Sequence, residues 1–198
     1  MVDVEAEIRA ARERGDLHAA ATLALEAYGP ELLGFLVSLL GNPDAAGEAF
    51  AQLGEDLWRG LPGFELRSSA RTWLYTLARH AAYRLARGAR VRQKYAAPAS
   101  QLSAVAEAVR TRTLPFLRTE ARDGIARLRE ALDPDDRALL VLRLDRNMSW
   151  TEVAAVLAPE QDSVRAAARV RKRFQLVKDR LRARARELGL VGERKDDG

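Results

Sequence analysis

The stretch SSARTWLYTLARHAAYRLAR, residues 68–87, decides the fold of this part of the chain, because its apolar residues recur at intervals of three and four. That spacing predicts an amphipathic helix over residues 70–88, with Ser68 or Ser69 as its N-cap. The apolar stripe that we expect to be buried is Leu74, Leu77, Ala78, Ala81 and Leu85. The opposite face, which we expect to be exposed, carries Thr72, Trp73, Thr76, Arg79, His80, Tyr83 and Arg87.

This exposed face has the chemistry of a surface that binds nucleic acid. Arginines contact phosphates, and aromatic rings stack on unpaired bases at roughly 1–3 kcal/mol each. Because Trp73 follows an irregular loop at residues 63–69, the pattern favours melted DNA over an intact groove. The alternative is that Trp73 and Tyr83 pack on a neighbouring helix while the arginines remain in solvent.

The preceding sequence predicts more helices of the same kind. One helix is expected over residues 17–28, with Gly29-Pro30 ending it, and another is expected up to about Leu40. Asp44 is expected to cap a third, which Pro62-Gly63 ends. The apolar stripe of this third helix is Ala46, Ala49, Phe50, Leu53, Leu57 and Leu61. Its polar stripe includes Glu48, Gln52, Glu55 and Arg59.

The C-terminal half has the pattern of a helix-turn-helix. Residues 89–117 hold prolines and scattered arginines, which predict a linker with at most one short helix. After a helix expected over residues 119–132, Asp133 and then Ser149 are expected to cap two further helices. A break at Ala158-Pro159 precedes a long helix that we expect to reach Leu188.

The outer face of that last helix is strongly basic. Residues 163–188 hold 10 basic and 2 acidic side chains, whereas residues 1–60 hold 4 basic and 11 acidic ones. Arginine pairs bidentately with guanine and glutamine with adenine in the major groove. The side chains expected to contact DNA are Arg165, Arg169, Arg171, Lys172, Arg173 and Gln175. The alternative is a basic amphipathic helix that packs on a partner.

Composition excludes several classes of protein. The 198 residues include no cysteine and 2 histidines, so disulfides, thiolate zinc sites and a cysteine nucleophile are excluded. The sequence offers no nucleophile–base set, no phosphate-binding glycine loop and no metal-ligand spacing, so we expect no enzyme, no cofactor and no metal. The acidic N-terminus is unlike a signal peptide, and the apolar run at residues 32–40 is about half a membrane span. A cytoplasmic protein with no membrane insertion is therefore expected.

Together these segments resemble the extracytoplasmic-function (ECF) group of bacterial sigma-70 superfamily factors. The string SARTWLYTLARH, residues 69–80, is similar to the family's tryptophan-containing stretch of region 2. The string LDPDDRALLVLRLDRNMSWTEVAAVL, residues 132–157, is similar to region 4. The resemblance implies an all-α fold of two small helical domains joined by a linker. Its expected parts are a region 2-like domain at 1–92, a linker at 93–118, a region 4-like helix-turn-helix domain at 119–188 and a disordered tail at 189–198.

The resemblance also implies partners and roles. Core RNA polymerase and promoter DNA would be partners, and an anti-sigma factor is a further possible partner. Residues expected to bind and melt the minus-10 element are Phe64, Arg67, Ser68, Ser69, Arg71, Thr72, Trp73, Thr76, Arg79, His80, Tyr83 and Arg87, with the loop from Phe64 to Ser69 capturing a flipped base. Region 4 would bind the minus-35 element through the six basic-helix residues named above. Residues expected to dock on the polymerase are Glu48, Gln52, Glu55, Asp56 and Arg59.

The chain departs from the family pattern at several positions. Ala51 stands where the family has glutamine, His80 where it has asparagine, and Leu176 where it has a basic residue. The best alignment of the last helix needs about six extra residues after Leu157, so either the turn is longer or the recognition helix starts early. Two other functions stay open: a stand-alone helix-turn-helix regulator, and a degenerate sigma-like interaction protein.

Overall fold

The computed structural model describes residues 3–88, 102–120, 131–159 and 161–187, and within these ranges it contains helices and no strand. The predicted all-α class is therefore confirmed for this part of the chain. The helices are α1 (Val4–Glu13), α2 (Leu17–Leu40), α3 (Pro43–Gly60), α4 (Ala70–Ala86), α5 (Leu102–Glu120), α6 (Pro134–Leu140), α7 (Trp150–Leu157) and α8 (Ser163–Glu187). A 3-10 turn (Leu61–Gly63) follows α3, and a π-helical turn (Val141–Asp145) extends α6. The chain divides into two compact units, Met1–Thr119 and Glu120–Gly198.

Helix α2 forms the centre of the first unit, where it packs against α1, α3 and α4. The predicted break at Gly29-Pro30 is wrong, because α2 continues through Pro30 to Leu40. Proline removes one backbone hydrogen bond from a helix interior. Burial of Leu32, Leu33 and the apolar residues that follow holds the helix together across that gap.

Helix α2 is also the one helix of the described ranges that is long and apolar enough to cross a membrane by length and composition. Ten of its residues are buried inside the first unit. The core helix of a globular unit meets the same criteria, so length and composition alone do not indicate a membrane span.

Helix α3 begins two residues earlier than predicted, because Asn42 rather than Asp44 is its N-cap. The Asn42 Oδ1 accepts hydrogen bonds from the backbone N–H groups of Asp44 at 2.8 Å and Ala45 at 3.2 Å. Asp44 lies in the first turn, where its negative charge favours the helix dipole. The predicted apolar stripe of α3 is confirmed, since all six of its residues are buried.

Helix α5 corrects the prediction that residues 89–117 hold at most one short helix. It is 19 residues long, and it buries Ala106 and Val109 in the first unit. The contact is made at two glycines of α2 and α3. A Cβ on Gly29 would lie 2.7 Å from Val109 Cγ1, and a Cβ on Gly54 would lie 3.7 Å from Ala106 Cβ. Helix α5 can therefore approach α2 closely only because residue 29 has no side chain.

Replacing Gly29 with alanine tests this close approach. The added methyl group would overlap the stiff side chain of Val109, and overpacking of this kind costs about 1–3 kcal/mol. Alanine also gains helix propensity over glycine, about 1 kcal/mol, which offsets part of that cost. The overlap is therefore best measured as the coupling free energy between substitutions at Gly29 and Val109. We expect Gly29→Ala to be better tolerated by about 1 kcal/mol in a Val109→Ala background, measured by denaturant unfolding in a double-mutant cycle. Additive effects of the two substitutions would contradict the contact.

The second unit begins its described part with two capped helices, as predicted. Asp133 caps α6 by accepting from the backbone N–H of Asp136 at 2.9 Å. Ser149 and Glu152 form a capping box at the start of α7. Helix α8 starts at Ser163, about six residues before the start implied by the family alignment. Most of the predicted helix at 119–132 and all of the predicted tail at 189–198 lie outside the described residues.

Candidate functional site

The loop before α4 is anchored by two stacked rings. Phe64 and Trp73 stack with their ring centroids 4.4 Å apart and their planes at 10°. Trp73 also lies over Gly60, where an added Cβ would be 2.9 Å from Trp73 Cζ2. The loop residue Phe64 is buried, whereas Trp73 is half-buried. One face of the Trp73 ring is therefore occupied by Phe64, so Trp73 shapes the loop while part of its side chain stays accessible.

Thr72 does not lie on the exposed face, which corrects the sequence prediction. Its side chain is 1% exposed. The Ser69 hydroxyl donates to Thr72 Oγ1 at 2.9 Å, and the Thr72 backbone N–H donates to Ser69 Oγ at 3.1 Å. Of the two predicted candidates, Ser69 rather than Ser68 is thus the N-cap of α4, and Thr72 supports that cap. Both side chains serve the helix terminus.

Two arginines of this region are held by carboxylates. Arg71 makes a bidentate ion pair with Glu31 of α2, with Nε–Oε1 at 2.7 Å and Nη2–Oε2 at 2.9 Å. Arg67 pairs with Glu65 inside the loop. A phosphate at Arg71 would therefore have to compete with a partly buried carboxylate, whereas the Arg67 pair is exposed and easily exchanged.

The remaining predicted residues of α4 share an accessible surface, which we call the α4 face. The guanidinium of Arg79 lies 4.7 Å from the ring centre of Tyr83, within cation–π distance. His80 is exposed, and Arg87 is exposed just beyond the end of the helix. Ser68 lies half-buried at the loop end of this surface. The α4 face consists of Trp73, Thr76, Arg79, His80, Tyr83 and Arg87.

The five predicted docking residues lie together on the outer side of α3, which we call the α3 polar face. Glu48 and Arg59 are exposed, and the other three residues are half-buried. Gln52 Nε2 donates to Asp56 Oδ1 at 3.2 Å, and Arg59 Nη2 pairs with Glu55 at 2.9 Å. The α3 polar face consists of Glu48, Gln52, Glu55, Asp56 and Arg59.

Arg84 of α4 connects the two faces, and the sequence analysis did not include it. Its guanidinium pairs with Asp56 of the α3 polar face. The helical spacing could have identified Arg84, because it follows His80 by one turn of the same helix. The structure shows that its side chain is exposed. Its carboxylate partner, 28 residues away, was not predictable from spacing.

On α8, five of the six predicted DNA-contacting side chains are exposed: Arg165, Arg169, Arg171, Lys172 and Gln175. Arg173 is the exception. Its guanidinium hydrogen-bonds to Asp136 and lies 3.1 Å from Asp133 Oδ1. Burial opposes the charge, but Asp136 and its neighbouring carboxylates raise the pKa of Arg173 above its usual range. Arg173 therefore joins α8 to α6 inside the second unit, and its contact with DNA stays a prediction.

Asp136 is the centre of that connection. Its carboxylate is 1% exposed and accepts from Arg173 Nε and, at 2.8 Å, from Arg180 Nη2. Arg180 was not singled out in the sequence, because it lies on a helix that is basic all along its outer side. The other predicted residues of α8 are free to face solvent, although Arg169 also bonds to Gln161.

Within the described ranges there is no group of three or more histidine, cysteine, aspartate or glutamate side chains that could hold a metal ion.

One comparison with known proteins bears on these surfaces. Residues 24–92 match the family model of sigma-70 region 2. The matched segment runs from α2 through α4 and includes the α3 polar face and the α4 face. The match covers about a third of the chain and supports membership of the sigma-70 superfamily, whose region 2 proteins are non-enzymatic transcription factors that bind core RNA polymerase. No curated protein and no solved structure matches the chain significantly.

Proposed function

We propose that this protein is an ECF-type sigma factor, which binds core RNA polymerase and directs it to promoters where DNA melts. The observation that carries the proposal is the region 2 match over residues 24–92, since it includes the adjacent helices α3 and α4, whose surfaces differ in chemistry. The α3 polar face is acidic and internally paired, which suits a protein partner. The α4 face combines cations with accessible rings, which suits unpaired DNA.

In this proposal the α4 face and the loop before it contact the minus-10 element. Arg79 and Arg87 would neutralise phosphates, while Trp73 and Tyr83 would stack against unpaired bases. The exposed Arg67 and His80 and the half-buried Ser68 complete the rim of this surface. Unstacking a base costs a few kcal/mol, and a fitted pocket beside aromatic rings offsets that cost.

The second unit would act as region 4 and bind the minus-35 element in duplex form. Helix α7 and helix α8 have the order, capping and basic outer surface of a helix-turn-helix reader. Arg165, Arg169 and Lys172 lie along the first three turns of α8, where a recognition helix contacts base edges. Arg171 and Gln175 flank that line.

The experiment that tests the proposal mixes the purified protein with bacterial core RNA polymerase and promoter DNA. Co-migration with core and promoter-dependent transcription would support a sigma factor. Binding to duplex DNA by the protein alone, without core, would instead favour a stand-alone regulator, for which the capped helix α7 followed by the basic helix α8 is the supporting observation. The absence of both activities would favour a degenerate interaction protein. A cytoplasmic location and an anti-sigma partner belong to the same proposal.

Reversing one charge on the α3 polar face gives a sharper result. Glu48 is exposed and forms no ion pair with any residue in the part of the chain that the structure describes, so Glu48→Lys changes the surface with little effect on stability. We expect core affinity to fall about tenfold, since an unfavourable charge at an interface costs more than 1 kcal/mol. Titration of core polymerase with labelled protein measures this affinity.

The matched control for that variant is Glu26→Lys, which makes the same reversal at an exposed position of α2. Equal losses for the two variants would mean a general charge effect. No loss for Glu48→Lys would place the polymerase contact elsewhere.

A further inference from the structure

Helix α1 contacts both ends of the loop that leads into α4. It lies outside residues 24–92, so it is not part of the region 2 match. We propose that α1 is a clamp that holds this loop open for a single unpaired DNA base, with Glu5 and Arg12 as positioning residues. This inference rests on the proposed function, because it concerns the loop that would capture the base.

The C-terminal end of the loop is fixed by Glu5. Its Oε2 accepts from the backbone N–H of Ala70 at 2.8 Å, and its Oε1 accepts from that of Arg71 at 3.0 Å. Ser69 accepts from Thr72, so the first three N–H groups of α4 all have acceptors. Helix N-termini carry unsatisfied donors and partial positive charge, which makes a carboxylate there a strong anchor. Glu5 thus ties the start of α4 to α1 across 65 residues of sequence.

Tyr28 of α2 holds Glu5 in this position. Its hydroxyl donates to Glu5 Oε1 at 2.8 Å. Burial, and then the hydrogen bond to Glu5, raise the pKa of Tyr28 well above its usual range. The hydroxyl therefore stays protonated and keeps donating at every pH at which the protein would work.

The N-terminal end of the loop is fixed by Arg12. Its Nε donates to the carbonyl of Leu61 at 3.3 Å, and its Nη2 donates to the carbonyl of Pro62 at 3.4 Å. Arg12 and Glu5 lie on one helix, so the separation of the two anchors is set by a rigid element. Ile8 and Ala11, both buried, fix that helix against the rest of the unit.

Between the anchors the loop holds a strained residue. Leu66 has a φ of 58°, in the left-handed region that a side chain with a Cβ disfavours. Such conformations persist when the surrounding structure determines them, and they concentrate where ligands bind. Two anchors on α1, together with the Phe64–Trp73 stack, are what determine this one. The strain and the anchors together indicate a loop kept in shape before its ligand arrives.

The test uses the protein bound to core polymerase and a partly single-stranded promoter fragment. Each unpaired base of the non-template strand is replaced in turn by an abasic site. The position where the loss of the base weakens wild-type binding most is the captured base. The measured quantity is the ratio of the affinity for intact DNA to the affinity for DNA that is abasic at that position. A defect in folding or in core binding alters both affinities alike and leaves this ratio unchanged.

We expect Glu5→Gln and Arg12→Gln each to lower that ratio by about fivefold or more, a loss in the range of one stacking contact. Binding to core and to abasic DNA should stay the same. Arg12→Lys, which can still donate to one carbonyl, should recover part of the ratio. The matched controls are Glu7→Gln and Arg9→Gln, at exposed positions of the same helix.

A second variant keeps the test decisive if a clamp substitution prevents folding. Leu66→Gly removes the strain without touching either anchor, so it should leave the melting temperature equal or higher while lowering the ratio. If wild-type protein shows no base-sensitive position, both base capture and the clamp are wrong. If it shows one and the variants keep the wild-type ratio, the clamp alone is wrong.

Discussion

Asp136→Asn is expected to lower the free energy of unfolding of the second unit by roughly 2–4 kcal/mol. The Asp136 carboxylate is buried at the start of α6 and accepts from Arg173 and Arg180 of α8. Asparagine has the same shape but no charge, and its amide group would face two guanidinium groups. Both arginines are partly exposed, at 42% and 59%, so water can solvate them after the substitution and the cost stays below that of a fully buried pair.

Hydrogen exchange at the backbone amides of α8 measures this effect locally, because the amides of α8 should exchange faster while those of α2 and α3 keep their protection. The matched control is Asp135→Asn in the same first turn. Asp135 is half-buried and lies 3.9 Å from Arg173, so its loss should cost less than about 1 kcal/mol. Equal effects at the two positions would mean that net charge, rather than the buried carboxylate, joins α6 to α8.

The sequence predicted those parts of the fold whose causes are local. Ser69, Asp133 and Ser149 were identifiable as caps because a cap needs only a short polar side chain and the N–H groups next to it. The length of helix α5 was underestimated for the opposite reason. Its sequence contains no strong periodic signal, and its position depends on Gly29 and Gly54, which lie far away in the chain.

The candidate site shows the same division. The α4 face was predictable, because helical spacing places its exposed residues together. The roles of Arg71 and Arg173 were not, since their carboxylate partners lie 40 and 37 residues away. An arginine that binds DNA and one that joins two helices look identical in a sequence. The stacking of Phe64 on Trp73 and the capping of α4 by Glu5 were beyond prediction for the same reason, because contacts between residues far apart in sequence appear only once the chain is folded.

The second large effect is expected from Trp73→Ala, which should slow the formation of the open promoter complex about tenfold to a hundredfold. The substitution removes the ring that stacks on Phe64 and covers Gly60, while Glu5 and Arg12 still hold the two ends of the loop. It also removes the part of Trp73 that is accessible on the α4 face. One stacked base contributes about 1–3 kcal/mol, which corresponds to that range of rates. Core binding and duplex binding by α8 should not change, because both involve other surfaces in the proposed arrangement.

Trp73→Phe keeps an aromatic ring at this position but reduces its size, so it separates the contribution of stacking from that of side-chain volume. Phenylalanine can still stack on Phe64, so this variant should retain most of the wild-type rate. A promoter with a pre-opened, mismatched bubble provides the second comparison, since it no longer requires bases to be unstacked. If Trp73 acts in melting, the bubble should restore transcription by Trp73→Ala to within about threefold of wild type, a residual difference of less than 1 kcal/mol. If the bubble restores nothing, the ring holds the loop in shape but takes no part in opening the duplex, because a distorted loop would impair binding to open DNA as well.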